Sequence, residues 1–416
     1  MSSSVVKPRN ASGNFSIKSC IELHSANWKP NMNFHPDAYR MKRELAELVA
    51  INSENPPGGE GEVALWIRNA LAPLGFEIAL IEYAPGRFNV EARLANGPGP
   101  VFAFNTHMDT VPAGDGWTTD AFILNEREGL LYGRGSCDCK GPLAAMIEAV
   151  RMLVTQRQEW SGTLLAVFTG DEEVASAGAR HYAASKPKID AVVVGEPTGN
   201  ACFSAHKGSF RPVVRVSGKA AHSGSPHLGE NAVYRAGALM PLVAAFHAEE
   251  LSRRIHPLVG SPSLTVTRIN GGHADNVIPA DCELLLDRRL IPGETDAGAE
   301  SEIRALLVDA QKNHGIRAEI IGYHATTGGA TDTPVSAAVV QAALSACAAA
   351  GVAKPGPFGF QGACDLVHFI EAGAQGVVIG AGDIRVAHRP DEFVPTDEFV
   401  SSAAIYADIA RRVFKG

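Results

Sequence analysis

The sequence predicts an α/β fold: a discontinuous, doubly wound domain interrupted by an inserted α+β domain. Three observations carry this. The first is a set of short apolar runs, VFAFN, TLLAVFTG, IDAVVVG and GVVIGAG, which read as buried parallel strands. The second is the helical patterning between them, which gives the helix–strand alternation of a doubly wound sheet. The third is a change of character after about Ala205, where alternating strands and two long helices intervene before the strand pattern returns.

From His35, PDAYRMKRELAELVAI has helical periodicity, and SENPPGGEGE is a loop. GEVALWIRNALAPLG follows as a second amphipathic helix, then FEIALIEY and FNVEARL as strands. VFAFNTHMD is a buried strand, and a long loop through Trp117 and Asp120 leads to GLLYGRGSCDCKG. GPLAAMIEAVRMLVTQ is a helix with Pro142 in its first turn. TLLAVFTGDEE and IDAVVVGEPTG are strands, separated by a helix around Ala177 to Ser185. HKGSFRPVVRVSGKAAHSG alternates like an antiparallel strand pair. ENAVYRAGALMPLVAAFHAEEL is a long helix, SLTVTRINGG and CELLLDRRL are strands, and AGAESEIRALLVDAQKN is a helix. The expected division is an extension over 1–35, a doubly wound domain over 36–206 and 323–416, and an inserted domain over 207–322.

Composition narrows the function. The chain has 416 residues, 45% of them hydrophobic and 20% charged, which is globular. A net charge of -8 and the lack of a basic stripe argue against a nucleic-acid partner. No apolar run reaches membrane-spanning length, and the polar start with Pro8 lacks a signal-peptide core, so no membrane partner is expected. Seven cysteines without paired spacing predict reduced thiols and a cytoplasmic setting, in which the sequons at Asn10 and Asn14 are chance.

In an open α/β sheet the ligand site lies beyond the carboxyl ends of the strands. His107 with Asp109, Asp171 to Glu173, Glu196 and His388 all follow such ends, so they can converge on one rim. Carboxylates mixed with imidazoles point to a metal centre and to hydrolysis. Each signal has a blander alternative. Asp138, between GRG and a helix start, could bridge two cations or simply cap the helix. His107 and Asp109 share one strand face, so Asp109 can orient the imidazole, yet a strand-end histidine needs no metal. Glu172 and Glu173 point opposite ways in extended backbone, leaving one to bind and one to accept a proton, but acids at a helix start are common. Glu196 and His388 could be loop residues. The joint order H-x-D, G-x-x-D-x-K-G, D-E-E, G-E-P-T and A-H-x-P-D-E outweighs these alternatives.

With THMDTVP, YGRGSCDCKG, TGDEE, VGEPT, AHKGSF, GKAAHSG, INGGHADNVIPADCELLLDRR, PGE and AHRPDEF, the chain from about residue 36 resembles the acetylornithine deacetylase, succinyl-diaminopimelate desuccinylase and aminoacylase family of co-catalytic zinc metallopeptidases. The resemblance implies a zinc-peptidase-like sheet and two divalent metal ions, zinc in the family, with cobalt or manganese able to occupy the same shell. It places His107 and Glu196 on one ion, Glu173 and His388 on the other, and Asp138 between them. A non-proline cis peptide just after Asp138 is implied as well. Glu172 becomes the general base and Asp109 the support of His107. His222, reaching in from a partner subunit, helps stabilise the oxyanion. Arg289 and Asn276 meet a substrate carboxylate or backbone.

The implied reaction cleaves the amide C–N bond of an N-acyl amino acid, a small molecule bearing a carboxylate, by zinc-activated water. The resemblance also makes 36–206 and 323–416 the catalytic domain and 207–322 a lid and dimerisation domain, through which a homodimer forms. Rival readings are a dipeptidase or carboxypeptidase, attack on an aryl amine or carbamoyl C–N bond, and a non-catalytic binding protein, which the intact ligand and base set disfavours. The chain departs from the pattern in flanking Asp138 with Cys137 and Cys139. That Cys-x-Cys pair could itself bind metal or pack beside the site. His206 is read as a hinge support and His273 as a loop residue.

Overall fold

The computed structural model describes residues 34–416, so most of the expected extension, with its two sequons, lies outside the described residues. Helix α1 (Ala38–Ala50) starts where the Asp37 side chain accepts a hydrogen bond from the Arg40 amide. It buries Met41, Glu44, Leu45, Leu48 and Val49, the single stripe that helical spacing dictates. Helix α2 (Glu60–Leu71) follows. Strands β1 (Glu77–Ala84) and β2 (Arg87–Asn96) form a hairpin closed by Pro85 and Gly86, where Gly86 takes φ 73°.

Next come β3 (Val101–His107), the short β4 (Asn125–Arg127) and β5 (Leu130–Tyr132), and helix α3 (Lys140–Thr155). After them stand β6 (Gly162–Thr169), α4 (Ala177–Ala184), β7 (Ala191–Val194) and β8 (Phe203–His206). One large sheet has the order β1-β2-β6-β3-β7-β17-β8-β15, with β16 beside β8. Of these, β15 is Thr331–Asp332, β16 is Phe358–Phe360 and β17 is Gln375–Val378. The central β6, β3, β7 and β17 are parallel, while β1, β2, β8 and β15 join by antiparallel pairing.

Every residue of β3, β6 and β7 is buried, because helices cover both faces. Phe102, Phe104, Leu164 and Phe168 pack on one side against α1, α2, α3, α7 (Ala338–Ala349) and α9 (Thr396–Lys415). The alternate residues Val101, Ala103, Leu165 and Val167 pack on the other against α4 and α8 (Leu366–Glu371). This is the doubly wound arrangement the sequence predicts. The short β18 (Phe393–Pro395) pairs with β5.

A second sheet, antiparallel, has the order β11-β13-β9-β14. It comprises β9 (Gly208–Ser217), β11 (Ser263–Gly271), β13 (Asp281–Leu290) and β14 (Ala318–His324). Its core is separate: Ala232, Ala236, Leu239 and Val243 of α5 (Ala232–Glu249) and Ala299, Ile303, Leu307 and Ala310 of α6 (Asp296–His314) cover its inner face. HKGSFRPVVRVSGKAAHSG is not a strand pair, contrary to expectation. Both edges of β9 are taken by β13 and β14, so the short β10 (Ala221–His222) turns away and pairs with β12 (Val277–Ile278).

The chain crosses between the two sheets twice, side by side. Only Lys207 separates β8 from β9, and on the return His324 lies opposite Arg211 while Thr331 lies opposite His206. Among the described residues no helix is long and apolar enough to cross a membrane, and the six cysteines there are free and buried.

Candidate metal centre

The parallel strands deliver their ends to one rim. β3 ends in His107, the turn after β6 holds Asp171 to Glu173, Glu196 lies two residues past β7, and the loop after β17 reaches His388. The side chains meet in two groups that share Asp138. Ligand atoms of His107, Asp138, Cys139 and Glu196 lie within 4.8 Å of one another, as do those of Asp138, Glu173 and His388. Asp138 divides its oxygens between them, with Oδ1 3.1 Å from His107 Nε2 and Oδ2 3.1 Å from His388 Nε2. Glu173 Oε2 is 3.1 Å from the same His388 nitrogen, and Glu196 Oε1 is 3.9 Å from His107 Nε2.

Asp138 does not cap α3. Cys139 holds the cap position with no side-chain cap bond, and the Asp138–Cys139 peptide is cis, as the resemblance implied. Beneath it, Glu392 Oε1 accepts hydrogen bonds from the Cys137 and Asp138 amides at 2.9 and 3.0 Å, while Arg134 Nη1 donates to Glu392 Oε2 at 2.5 Å. Arg134 and Glu392 are each 1% exposed, so this is a buried ion pair under the shared carboxylate. His388 sits on the same loop as Glu392 with φ 61°, a left-handed conformation that costs a non-glycine residue about 1 kcal/mol or more.

Asp109 acts differently from the expectation. Its backbone carbonyl, 2.9 Å from His107 Nδ1, is the nearer acceptor, and its carboxylate stands 3.6 Å away. That carbonyl can only accept, so it holds the proton on Nδ1 and turns Nε2 towards the ligand group. The Asp109 carboxylate instead accepts from the Glu172 and Glu173 amides at 3.1 and 3.2 Å and from Asn55 at 2.9 Å. Glu172 and Glu173 therefore lie in a turn, not in extended backbone, and the turn itself separates their carboxylates. Glu173 enters a ligand group and Glu172 enters neither. Behind the turn, Asp171 accepts from Asn55 and Arg87, both at 2.9 Å, and Arg87 also pairs with buried Glu60.

The electrostatics match this crowding. Burial pushes the Glu172 carboxyl well above its ordinary range. Burial and the neighbouring Asp138 charge do the same to Glu196. Burial works against the charge on Asp138, but hydrogen bonds from His107 and His388 hold its carboxyl well below the usual range. Hydrogen bonds to Asp138 and Glu173 lift His388 to about 11. Buried carboxylates in such excess must be paired or coordinate metal. With imidazoles and carboxylates meeting around two points, the donor set fits two divalent cations, each replacing protons that these groups would otherwise hold.

The remaining expected residues sit on the smaller sheet. His222 is exposed in β10, its Nδ1 accepting from Gly224 at 3.0 Å. Asn276 immediately precedes β12, and its carbonyl accepts from the Ser223 amide. Arg289 donates from Nε to Asp287 at 2.7 Å. Among the described residues, no hydrogen bond or ion pair joins these three to the ligand groups.

Sequence reasoning missed Asn55, Glu60 and Arg87 behind the base, and it grouped Asp171 with the converging rim residues although Asp171 turns to Asn55 and Arg87 instead. It also quoted GRG and PDE without giving Arg134 and Glu392 a role. Asp365 went unnoticed: its Oδ2 accepts from Thr169 at 2.6 Å, while its buried Oδ1 has no partner. A cavity of about 690 Å³ lies in the larger domain, and none of the ligand-group residues nor Glu172 lines it. It reaches from Pro197, beside Glu196, to Val386, two residues before His388, with Phe203, Phe360 and Phe393 in its wall.

Comparison with known proteins agrees with this geometry. A family profile described as Peptidase family M20/M25/M40 matches residues 103–412. The chain is 31% identical over 375 residues to an acetylornithine deacetylase from Vibrio campbellii, covering 87% of this chain and 94% of that one. Among solved structures, a tripeptidase from Staphylococcus aureus superposes with a TM-score of 0.75 at 19% identity, covering 92% of this chain and 100% of its own. A Bacillus subtilis protein described as a dinuclear metal-binding peptidase superposes with a TM-score of 0.69 at 19% identity, over 91% of this chain and 98% of that one.

Proposed function

The chain belongs to peptidase family M20/M25/M40, hydrolases of C–N bonds, and from that premise we propose that it removes the acyl group from an N-acyl amino acid at a two-cation centre. The observation that carries this reading is the Asp138 carboxylate, with one oxygen turned to each ligand group. His107 and Glu196 would hold one cation, Glu173 and His388 the other, and Asp138 both. Zinc is the first cation to test. When bound, the cations supply Lewis acidity and lower the pKa of water to about 7.

Glu172 is the general base. It is 9% exposed, it is left out of both ligand groups, and burial raises its proton affinity. It takes a proton from water as a new C–O bond forms, then returns it to the leaving nitrogen as the C–N bond breaks. Asp109 holds the turn that carries Glu172 and Glu173. We assign residues 207–322 the role of lid and dimerisation surface. Arg289 and Asn276 receive the substrate carboxylate, and His222 of the partner subunit completes the oxyanion site.

The test joins metal analysis to amine release over N-acyl amino acids, starting with acetylornithine, and over dipeptides and tripeptides. The expected result is two cations per chain and N-acyl amino acids as the best substrates. Faster cleavage of the peptides would replace this reading with a peptidase, and no amine release from any class would remove it.

A further inference from the structure

We propose that Cys139 is a fourth protein ligand of the cation held by His107, Asp138 and Glu196, so that the two cation sites differ in softness. The inference rests on the two-cation reading above.

The two cysteines flanking Asp138 face different surroundings. Cys137 Sγ lies 3.8 Å from the Asp383 carbonyl and belongs to neither ligand group. Cys139 Sγ lies 2.9 Å from Asp138 Oδ1 and 3.5 Å from Glu196 Oε2, and it is fully buried. A tetrahedral cation has bonds of about 2.0 Å to oxygen or nitrogen and about 2.3 Å to sulfur, which sets its ligand atoms roughly 3.3–3.5 Å apart. Four of the six edges are 3.1 Å from His107 Nε2 to Asp138 Oδ1, 3.9 Å from His107 Nε2 to Glu196 Oε1, 2.9 Å from Cys139 Sγ to Asp138 Oδ1 and 3.5 Å from Cys139 Sγ to Glu196 Oε2, and one ligand atom from each of the four residues lies within 4.8 Å of the others. Each of these four is within about 0.6 Å of the tetrahedral value, and a rotation of the Glu196 carboxylate would bring a single oxygen to the ion.

The chemistry balances without a redox partner. The S–H bond breaks, its proton leaves to solvent, and the sulfur lone pair takes the place of one water on the hydrated cation. The result is an S/N/O shell that favours zinc or cobalt over manganese or magnesium. The second group, Asp138, Glu173 and His388, offers no sulfur. The first site is therefore the tighter and more selective of the two.

The test is cobalt(II) loading of the full chain, with metal counting and absorption spectroscopy on wild type, Cys137→Ser and Cys139→Ser. Sulfur ligation gives an intense near-ultraviolet sulfur-to-cobalt charge-transfer band, while histidine and carboxylate ligation alone gives only weak visible bands. The expected result is the charge-transfer band in wild type and Cys137→Ser, and its loss in Cys139→Ser with visible bands retained. Zinc affinity of the tight site should fall at least about tenfold in Cys139→Ser, the least that losing even an outer partner of a ligand costs. Two bound cobalt ions in wild type with no sulfur band would overturn the thiol ligand and leave the two-cation centre standing. A band that survives in Cys139→Ser would also overturn it. No cobalt bound by wild type would sink both.

Discussion

Acid should destabilise the protein through His206, and the size of the effect follows from its surroundings. The imidazole is fully buried, its Nδ1 donates to the Lys207 carbonyl at 2.9 Å, and its Nε2 has no partner. Burial pushes its pKa down from 6.5 to about 4, against the pull of that carbonyl. The unfolded chain therefore takes up the proton first, so the contribution is intact above about pH 6.5 and is lost as pH falls towards 4. Integrating over those two pKa values gives a loss of about 2.4 kcal/mol between pH 7 and pH 4.5. His206→Phe removes the titration while keeping an aromatic ring of similar size. Urea unfolding of the chelator-treated wild type and variant, followed by circular dichroism across this range, isolates the term, since all other groups titrate in both. The stability gap should shift in the variant's favour by about 2 kcal/mol on going to pH 4.5. Curves that stay parallel within about 0.5 kcal/mol would refute a buried neutral His206.

Four further outcomes are expected. Glu172→Gln should keep its cations and its unfolding midpoint but lose about 10²–10⁴-fold in kcat, the usual share of a general base; near wild-type turnover would remove the assignment. Arg134→Met leaves Glu392 buried and unpaired and should cost about 3–5 kcal/mol in urea unfolding, with part of it restored in the Arg134→Met, Glu392→Gln double variant; a purely additive cycle would show that the pair is not coupled. Dialysis against a chelator should lower the thermal midpoint, because cations at a hundred times their Kd contribute about 2.7 kcal/mol; an unchanged Tm would mean that they do not stabilise this fold. Arg289→Ala should raise KM for carboxylate-bearing substrates much more than it lowers kcat, and unchanged kinetics would take Arg289 out of the pocket.

The rim was legible because strand ends are marked twice, by apolar runs and by the polar residues that stop them. His107, Glu173 and Glu196 could be read in this way, and Asp138 and His388 could be read from their place among glycines and the PDE segment. The hairpin edges, the four-stranded sheet and the helices covering both sheets follow from period-2 and period-3.6 patterns. The network behind the site was not legible in the same way. Arg87 and Glu60 reach Asp171 from a hairpin and a helix start far away in sequence, and no local spacing records that approach. Asp109 was given a role through its carboxylate, yet its carbonyl faces His107, a distinction that side-chain spacing cannot express. β10 was misjudged because alternation reveals a strand but not its neighbour, and β9 had no free edge left. Cys139 and Cys137 look alike in sequence; only the backbone path through Asp138 sends one thiol to the carboxylates and the other to Asp383.

The paired crossings between the two sheets restrict how the smaller one can move. Two adjacent ribbons, tied to each other by the His324–Arg211 and Thr331–His206 pairings, behave like a double-leaf spring. Such a spring bends easily about the axis in its own plane and resists twisting about its length. Any movement of the smaller sheet relative to the larger would therefore be restricted to one arc. A single tether would let it spin, and each approach to the rim would then begin with a search for orientation.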